Sequence, residues 1–198
     1  MQCVSLCVSI PPIFAHTSQE DAFDIGGGVA LINNTFGRQL YARYHVCDFM
    51  GDGKDDLFLA TGATWWVNSG GKSHWWLLNI MPERYDRVLV GDFNGDKRCG
   101  VFSVNGPDWR ISSGGTELWQ RIVAGADVPL DQLRVGDFNG DGRSDFFRRA
   151  PDGQWFIVSP GLFPMMAVAS SGFALDKLHF GDFNGDRITD VMATVTGR

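Results

Sequence analysis

One segment of this 198-residue chain carries oxygen-bearing side chains at alternate positions. Carboxylates or amides stand at its first, third, fifth and ninth positions, and the backbone carbonyl at the seventh position is available as a further ligand. These groups are Asp137, Asn139, Asp141, Asp145 and the carbonyl of Arg143. Hard cations such as Ca²⁺ are held by oxygen cages of this kind. Because three carboxylates so close together repel one another unless a cation neutralises them, the segment predicts a calcium site.

The same segment occurs four times, at intervals of 44, 45 and 45 residues, and we call the copies loops 1 to 4. They begin at Asp48, Asp92, Asp137 and Asp182. The ligands expected in loop 4 are Asp182, Asn184, Asp186, Asp190 and the carbonyl of Ile188, and those in loop 1 are Asp48, Asp52 and Asp56. Loop 4 has Arg187 where the turn glycine is preferred, loop 1 has Met50 at the third position, and loop 2 lacks the ninth ligand at Gly100. We therefore expect calcium occupancy to decrease in the order loop 3, loop 4, loop 1, loop 2.

Two other structures have similar loop sequences. An EF-hand needs flanking helices and a bidentate glutamate at the twelfth position. The residues there are Leu59, Ser103, Arg148 and Ala193, which argues against an EF-hand. Asx turns, in which Asp and Asn side chains bond their own backbone without metal, are the remaining alternative.

The loops must be positioned by short strands. Each repeat contains apolar, β-branched or aromatic runs bounded by Gly, Asn, Asp or Pro, of which residues 56–60, 65–69, 75–78 and 87–90 are one set. Four such strands in about 45 residues match one blade of a β-propeller. The sequence therefore predicts an all-β fold, a propeller of about four four-stranded antiparallel blades or a fragment of a larger one, with a β-solenoid or open stack as the alternative. For closure, residues 190–195 are expected to pair with a strand formed by residues 22–33.

Composition limits the classes of partner. The formal net charge is −6, from 23 acidic and 17 basic residues, which argues against nucleic acid. No apolar run reaches the roughly 18 residues of a membrane helix, so no membrane span is expected. The four cysteines show no metal-ligand spacing, and we assign no metal or redox site to them. Residues 1–21 form an apolar segment that is either a secretion signal or an irregular start, and residues 22–198 form the repeat domain.

The loop phrase Asp-x-Asn-x-Asp-Gly-x-x-Asp, followed by an apolar strand, resembles the FG-GAP or VCBS repeat. The resemblance covers residues 22–198 and is specific at the loops, although loops 1 and 2 depart from the pattern. It implies a β-propeller with calcium in its blade loops, an extracellular location, and a role in adhesion or glycan binding. Members of this family commonly have seven blades, which is more than this chain supplies.

The expected function is non-catalytic binding of a glycan or a protein. Aromatic side chains stack on sugars and anchor protein partners, and the weak candidates for such contacts are Trp66, Trp76, Arg110 and Tyr85. The tryptophans at a constant register, Trp65, Trp109 and Trp155, are expected to pack between blades instead. No catalytic motif is present, and the four histidines occupy unrelated repeat positions, so we expect no enzyme activity. A structural spacer and an accessory domain of a secreted enzyme remain alternatives.

Overall fold

The computed structural model describes residues 20–24, 29–34, 39–71, 75–123, 127–161 and 165–193, with the backbone alone described for residues 20–43. Within these ranges the chain is all-β, with short 3-10 turns and no α-helix. The strands are β1 (Glu20–Asp24), β2 (Val29–Asn34), β3 (Gln39–Arg43), β4 (His45–Cys47), β5 (Asp56–Ala60), β6 (Trp65–Asn68), β7 (Trp76–Asn79), β8 (Leu89–Gly91), β9 (Gly100–Asn105), β10 (Asp108–Ser112), β11 (Gln120–Val123), β12 (Leu133–Gly136), β13 (Asp145–Arg149), β14 (Gln154–Val158), β15 (Met166–Ser170), β16 (Leu178–Gly181) and β17 (Asp190–Ala193). This confirms the expected fold class at the level of all-β structure.

The strands form successive antiparallel sheets along the chain. Three of these sheets have four strands, and they consist of β4–β7, β8–β11 and β12–β15 in sequential order. A three-stranded sheet, β1–β3, precedes them, and a two-stranded sheet, β16–β17, follows. Short loops join neighbouring strands, as expected for antiparallel pairing.

The limits of one repeat differ from the prediction. From β4 onwards, each sheet begins with the strand before an Asp-rich loop, and that strand pairs with the strand after the loop. Gly91 lies opposite Gly100, Gly136 opposite Asp145, and Gly181 opposite Asp190. The loop therefore acts as a hairpin connection, whereas the sequence analysis placed it between two units.

This pairing also affects the expected closure. Strand β17 pairs with β16, and within the described residues no strand formed by residues 22–33 pairs with it. The predicted pairing of residues 190–195 with residues 22–33 is therefore not observed, and residues 194–195 lie outside the described ranges. The hairpin of loop 4 occupies one edge of β17, and no strand among the described residues pairs with the other edge.

The core lies between consecutive sheets. Trp65 and Trp109 are fully buried, which confirms the packing expected for these two residues. Trp109 meets Phe146 of the next sheet at 5.1 Å between ring centroids, and Trp65 meets Trp119, the residue before β11, at 5.5 Å. Trp155 is only partly buried and packs edge-on against Phe147. Aromatic contacts thus join one sheet to the next.

A disulfide bond also joins two repeats. It links Cys47 at the end of β4 to Cys99 at the end of loop 2, with 6.0 Å between their Cα atoms. Separately, no helix among the described residues has the length and apolar character needed to cross a membrane.

Candidate functional site

Loop 3 is wound by hydrogen bonds from its own backbone. The carboxylate of Asp137 accepts the N–H groups of Gly140 at 2.7 Å and Gly142 at 2.8 Å. The Oδ1 atom of Asn139 accepts the N–H of Asp141, and the carboxylate of Asp141 accepts that of Arg143, both at 2.8 Å. These are the Asx turns of the metal-free alternative, and they bring the oxygen-bearing side chains into one loop.

Asp145 closes this loop at the first residue of β13. Its side chain is fully buried and accepts the N–H of Phe138 at 3.1 Å. The amide nitrogen of Asn139 lies 3.2 Å from the carboxylate of Asp141 and 3.0 Å from the Ser159 hydroxyl. Burial raises the pKa of Asp145, hydrogen bonds from Ser159 and Phe138 oppose this shift, and the charges of nearby carboxylates add to it. A cation bound in this loop would therefore favour the ionised form of Asp145.

The donors of loop 3 have the chemistry of a cation site but not its arrangement. Within the described ranges, no group of three or more His, Cys, Asp or Glu side chains is arranged to hold a metal ion. The carboxylates are directed to backbone N–H groups instead, as the Asx turns require. The donors are nevertheless all oxygens, and one of them is a buried carboxylate, which is the chemistry that Ca²⁺ prefers. Binding would therefore require a rearrangement of side chains within a loop that already has the correct composition.

Loop 4 repeats this hydrogen-bonding pattern on a more exposed surface. Asp182 accepts the N–H groups of Gly185 at 2.6 Å and Arg187 at 2.9 Å, and the Asn184 amide bonds Asp186 at 3.0 Å. The hydrogen bond from Arg187 is the main cause of the lowered pKa of Asp182. Arg187 adopts a φ of 70°, so the residue that replaces glycine has an unfavourable backbone conformation. Asp190 accepts the N–H of Phe183, as Asp145 does with Phe138.

Loops 1 and 2 use their oxygens differently. Asp56 is fully buried and accepts the N–H groups of Phe49, Met50 and Gly70, so both of its oxygens have protein donors. Asp52 forms an ion pair with Lys54 at 3.2 Å. In loop 2 the ninth position is Gly100, the first residue of β9, and no side-chain ligand is available there. Both loops therefore have fewer oxygens available to a cation than loop 3.

Consecutive loops contact one another, and we call each of these contacts a junction. The side chain at the seventh position of one loop covers the glycine at the fourth position of the loop before it. Arg98 covers Gly51, Arg143 covers Gly95, and Ile188 covers Gly140. A Cβ atom on any of these glycines would lie within about 3.0 Å of the covering side chain. Arg143 and Ile188, which the sequence analysis named for their carbonyls, therefore also join the loops through their side chains.

The four weak ligand candidates do not converge on one surface. Trp66 lies opposite Leu77, whereas Trp76 lies opposite Val67, and adjacent strand residues point to opposite faces. Tyr85 stacks on His45 at 4.2 Å between ring centroids. Arg110 is directed inward, towards Glu83. Among the four, Trp76 has the most exposed side chain, at 41%.

Arg110 belongs to a polar and aromatic cluster between the first and second four-stranded sheets. Its guanidinium donates to Glu83 at 2.7 Å and lies 4.4 Å from the centre of the Trp119 ring. The Trp65 indole N–H donates to the backbone carbonyl of Glu83 at 3.1 Å. The sequence analysis missed Glu83, because no local pattern marks a residue whose partner lies 27 positions away. In this structure Arg110 therefore contacts Glu83 and Trp119 between the two sheets and does not face a ligand surface.

The disulfide was also missed by the sequence analysis, although a comparison of the repeats contains a signal for it. Cys47 occupies the position held by Gly91, Gly136 and Gly181 in the other copies, and Cys99 occupies the eighth position of its loop. Two cysteines that depart from the repeat pattern at neighbouring loops are candidates for a bond between those loops. The spacing rules for metal ligands do not detect such a pair.

A surface groove of about 500 Å³ lies at the end of the sheets opposite the loops. It is lined by Asp86, Arg87, Val104, Gly106, Pro129, Leu130 and Asp131. The charges of these lining residues are mixed, and none of them is aromatic. They therefore offer no platform for stacking a sugar ring.

Comparisons with known proteins describe the fold alone. No protein-family model matches the chain, and no curated protein matches it. Among solved structures, a chain of the Photorhabdus luminescens Tc holotoxin pore is similar, with a TM-score of 0.52 and 16% sequence identity. The match covers 94% of this chain and 11% of that chain, so this chain spans about a tenth of the length of its structural neighbour. Together with the sheets described above, this similarity defines an all-β repeat protein.

Proposed function

We propose that this chain is a non-catalytic, calcium-binding extracellular repeat domain of the FG-GAP or VCBS type that binds a glycan or a protein. The observation that carries the proposal is loop 3. There, Asp137, Asn139, Asp141 and the buried Asp145 belong to one loop wound by its own backbone. Loop 4 has the same residue types at the first, third, fifth and ninth positions and is proposed as the second site.

The electrostatics of loop 3 support calcium over the Asx turns alone. Burial and neighbouring carboxylates raise the pKa of Asp145, so its ionised form is held at a cost. When bound, Ca²⁺ would supply the opposite charge that offsets this cost. Asp141 and the Arg143 carbonyl would complete the oxygen donors, and Gly142, with φ 81°, permits the turn. Mg²⁺ should substitute poorly, because it requires a tighter octahedron.

The cystine supports the proposed extracellular location. Disulfide bonds form and persist in oxidising compartments and are rare in reducing ones. The Cys47–Cys99 bond lies within the repeat domain and joins the end of β4 to loop 2. The signal segment expected within residues 1–21 lies almost wholly outside the described residues, so it stays a prediction.

We further propose that the sheets are blades of a propeller, of about four blades or as part of a larger one. Consecutive sheets repeat the same contacts from loop to loop, which favours a regular rotation from each sheet to the next. Among the described residues, the sheet β16–β17 contains the first two strands of the unit. Closure would require another strand at the edge of β17.

Calcium binding is tested by comparing two matched charge-removing variants. Asp141→Asn retains an oxygen to accept the Arg143 N–H but removes a charge from loop 3, and Asp96→Asn makes the same change in loop 2, where Asp96 accepts the Arg98 N–H. At about 2 mM Ca²⁺ a site with Kd about 0.1 mM adds about 1.8 kcal/mol of stability. Two sites should raise the Tm of the wild type by several degrees, at about 2–4 °C per kcal/mol. Asp141→Asn should remove about half of this increase, and Asp96→Asn should leave it unchanged.

One combination of results would contradict calcium binding. The wild-type melting curve would be the same in excess chelator and in about 2 mM Ca²⁺, and the purified protein would contain no metal. The loops would then be Asx turns only.

Glycan binding is examined separately on a glycan array. The variant is Trp76→Ala, because the Trp76 side chain is the most exposed of the four ligand candidates.

A further inference from the structure

The three junctions share one backbone contact. The N–H at the eighth position of a loop donates to the carbonyl of the first aspartate in the loop before it. Cys99 donates to Asp48 at 2.7 Å, Ser144 to Asp92 at 2.6 Å, and Thr189 to Asp137 at 2.6 Å. The backbones of the three junctions are therefore equivalent, and differences between the junctions lie in their side chains.

At the second and third junctions a hydroxyl side chain packs against a glycine. A Cβ atom added to Gly91 would lie 2.7 Å from the Ser144 hydroxyl, and one added to Gly136 would lie 2.6 Å from the Thr189 hydroxyl. Such distances are shorter than van der Waals contact. These junctions therefore close only because one of the two residues has no side chain.

The first junction has a side chain on both sides. Cys47 occupies the glycine position and Cys99 occupies the hydroxyl position, and a covalent bond joins them. Two unbonded side chains would overlap in this space, as the clearances at Gly91 and Gly136 indicate. Cys99 is 6% exposed and packs in a core cluster with Phe49 and Trp65. An open junction would therefore disturb the core of the first four-stranded sheet, β4–β7.

We propose that oxidation of Cys47 and Cys99 is what closes the first junction, and that the reduced thiols hold it open. The cystine replaces the glycine–hydroxyl contact of the other junctions with a bond. Its formation removes two protons and two electrons from the thiols. A disulfide oxidant, such as oxidised glutathione, accepts them and becomes two thiols.

The test uses a variant that copies a natural junction of the same chain. Cys47→Gly combined with Cys99→Ser reproduces the pair Gly91 and Ser144. Melting curves of the full chain are recorded for the wild type and for this double variant, each with and without a reductant, and disulfide mapping is carried out on the folded wild type. Hydrogen exchange at the backbone amides of position 99, Ser144 and Thr189 reports the three junctions separately in both proteins.

Reduction should lower the wild-type Tm by roughly 5–15 °C and leave the double variant unchanged. The double variant should melt at a higher temperature than the reduced wild type, because its junction closes without a bond. In the reduced wild type, exchange at the Cys99 amide should increase by about tenfold or more, while the Ser144 and Thr189 amides keep their protection.

Three results would overturn the proposal. The first is a reduced wild type at least as stable as the double variant, and the second is a Cys99 amide that stays protected on reduction. The third is mapping that finds Cys47 or Cys99 as free thiols, or bonded to Cys3 or Cys7. All of these measurements are made in excess chelator, so their outcome is independent of the proposed metal sites.

Discussion

At the scale of single residues, the Asp-rich loops owe their shape to side chains that accept backbone N–H groups. Asp48, Asp92, Asp137 and Asp182 each accept N–H groups from residues three and five positions later. This role is the same in all four loops, including loop 2, which lacks the ninth ligand. The first aspartate is therefore structural in every loop, and the later positions decide whether oxygens remain for a cation.

His45 supplies a residue-scale test that is separate from the loops. Its Nε2–H donates to the Tyr85 carbonyl at 3.2 Å, and the two rings stack. Burial lowers the pKa of His45, and the hydrogen bond to Tyr85 only partly opposes this shift. Because the folded pKa lies below the unfolded value of about 6.5, the unfolded chain binds the proton more readily. Stability should therefore decrease as the pH falls below about 6.5.

His45→Phe retains an aromatic ring against Tyr85 and cannot be protonated. The free energy of unfolding is measured in urea at about pH 7.5 and at about pH 5, which lie above and below the range in which histidine titrates. Between these two pH values it should decrease less for His45→Phe than for the wild type. His179→Gln, at an exposed position of β16, serves as the control and should follow the wild type. Equal pH dependence in the wild type and in His45→Phe would show that His45 does not contribute.

At the scale of elements, sheets are joined both by aromatic rings and by a polar contact. The Arg110–Glu83 pair lies between the first two four-stranded sheets, and its side chains are 22% and 10% exposed. One oxygen of Glu83 and Nε of Arg110 are buried without a hydrogen-bond partner. A pair in this environment is costly to break on one side, because the remaining charge stays buried.

A double-mutant cycle measures this contact. Arg110→Met and Glu83→Gln should each lower the free energy of unfolding by about 2–3 kcal/mol, allowing for the partial exposure of the pair. The double variant should lose about 1–2 kcal/mol less than the sum of the two. The exposed pair Arg121 and Asp108, 3.5 Å apart in the same sheet, is the control and should show little coupling. Additive losses at Arg110 and Glu83 would contradict their assignment as one unit.

At the scale of the whole molecule, the sheet β16–β17 has fewer strands among the described residues than the sheets before it. Phe49 and Phe93, at the second position of loops 1 and 2, are both 4% exposed, whereas Phe183 of loop 4 is 52% exposed. Met192 on β17 is also exposed. In the preceding repeats the same positions are covered by a third strand and by the next sheet. The face of β16–β17 is therefore the place where closure of a propeller would bury additional surface.

Hydrogen exchange along β17 tests closure in solution. Pairing with β16 protects the amides that face β16, and an additional strand would protect those that face away from it. If the propeller closes, the β17 amides that face β16 and those that face away from it should both exchange slowly. Strand β13, which has a neighbouring strand on each edge, is the reference, and all its amides should exchange slowly. Fast exchange of the outward-facing amides, with the β13 amides protected, would show that β17 is an open edge.

The sequence by itself determined the repeat, the all-β class, the positions of most strands and the burial of Trp65 and Trp109. These properties follow from local alternation, turn residues and a constant register, which short-range sterics and hydrophobic burial govern. Only the tertiary structure decided that each loop is a hairpin within one sheet, that Arg110 faces Glu83, and that Cys47 bonds Cys99. The Arg110–Glu83 and Cys47–Cys99 contacts join residues 27 and 52 positions apart in the chain, and their partners are chosen by how consecutive sheets approach each other, which no local pattern encodes.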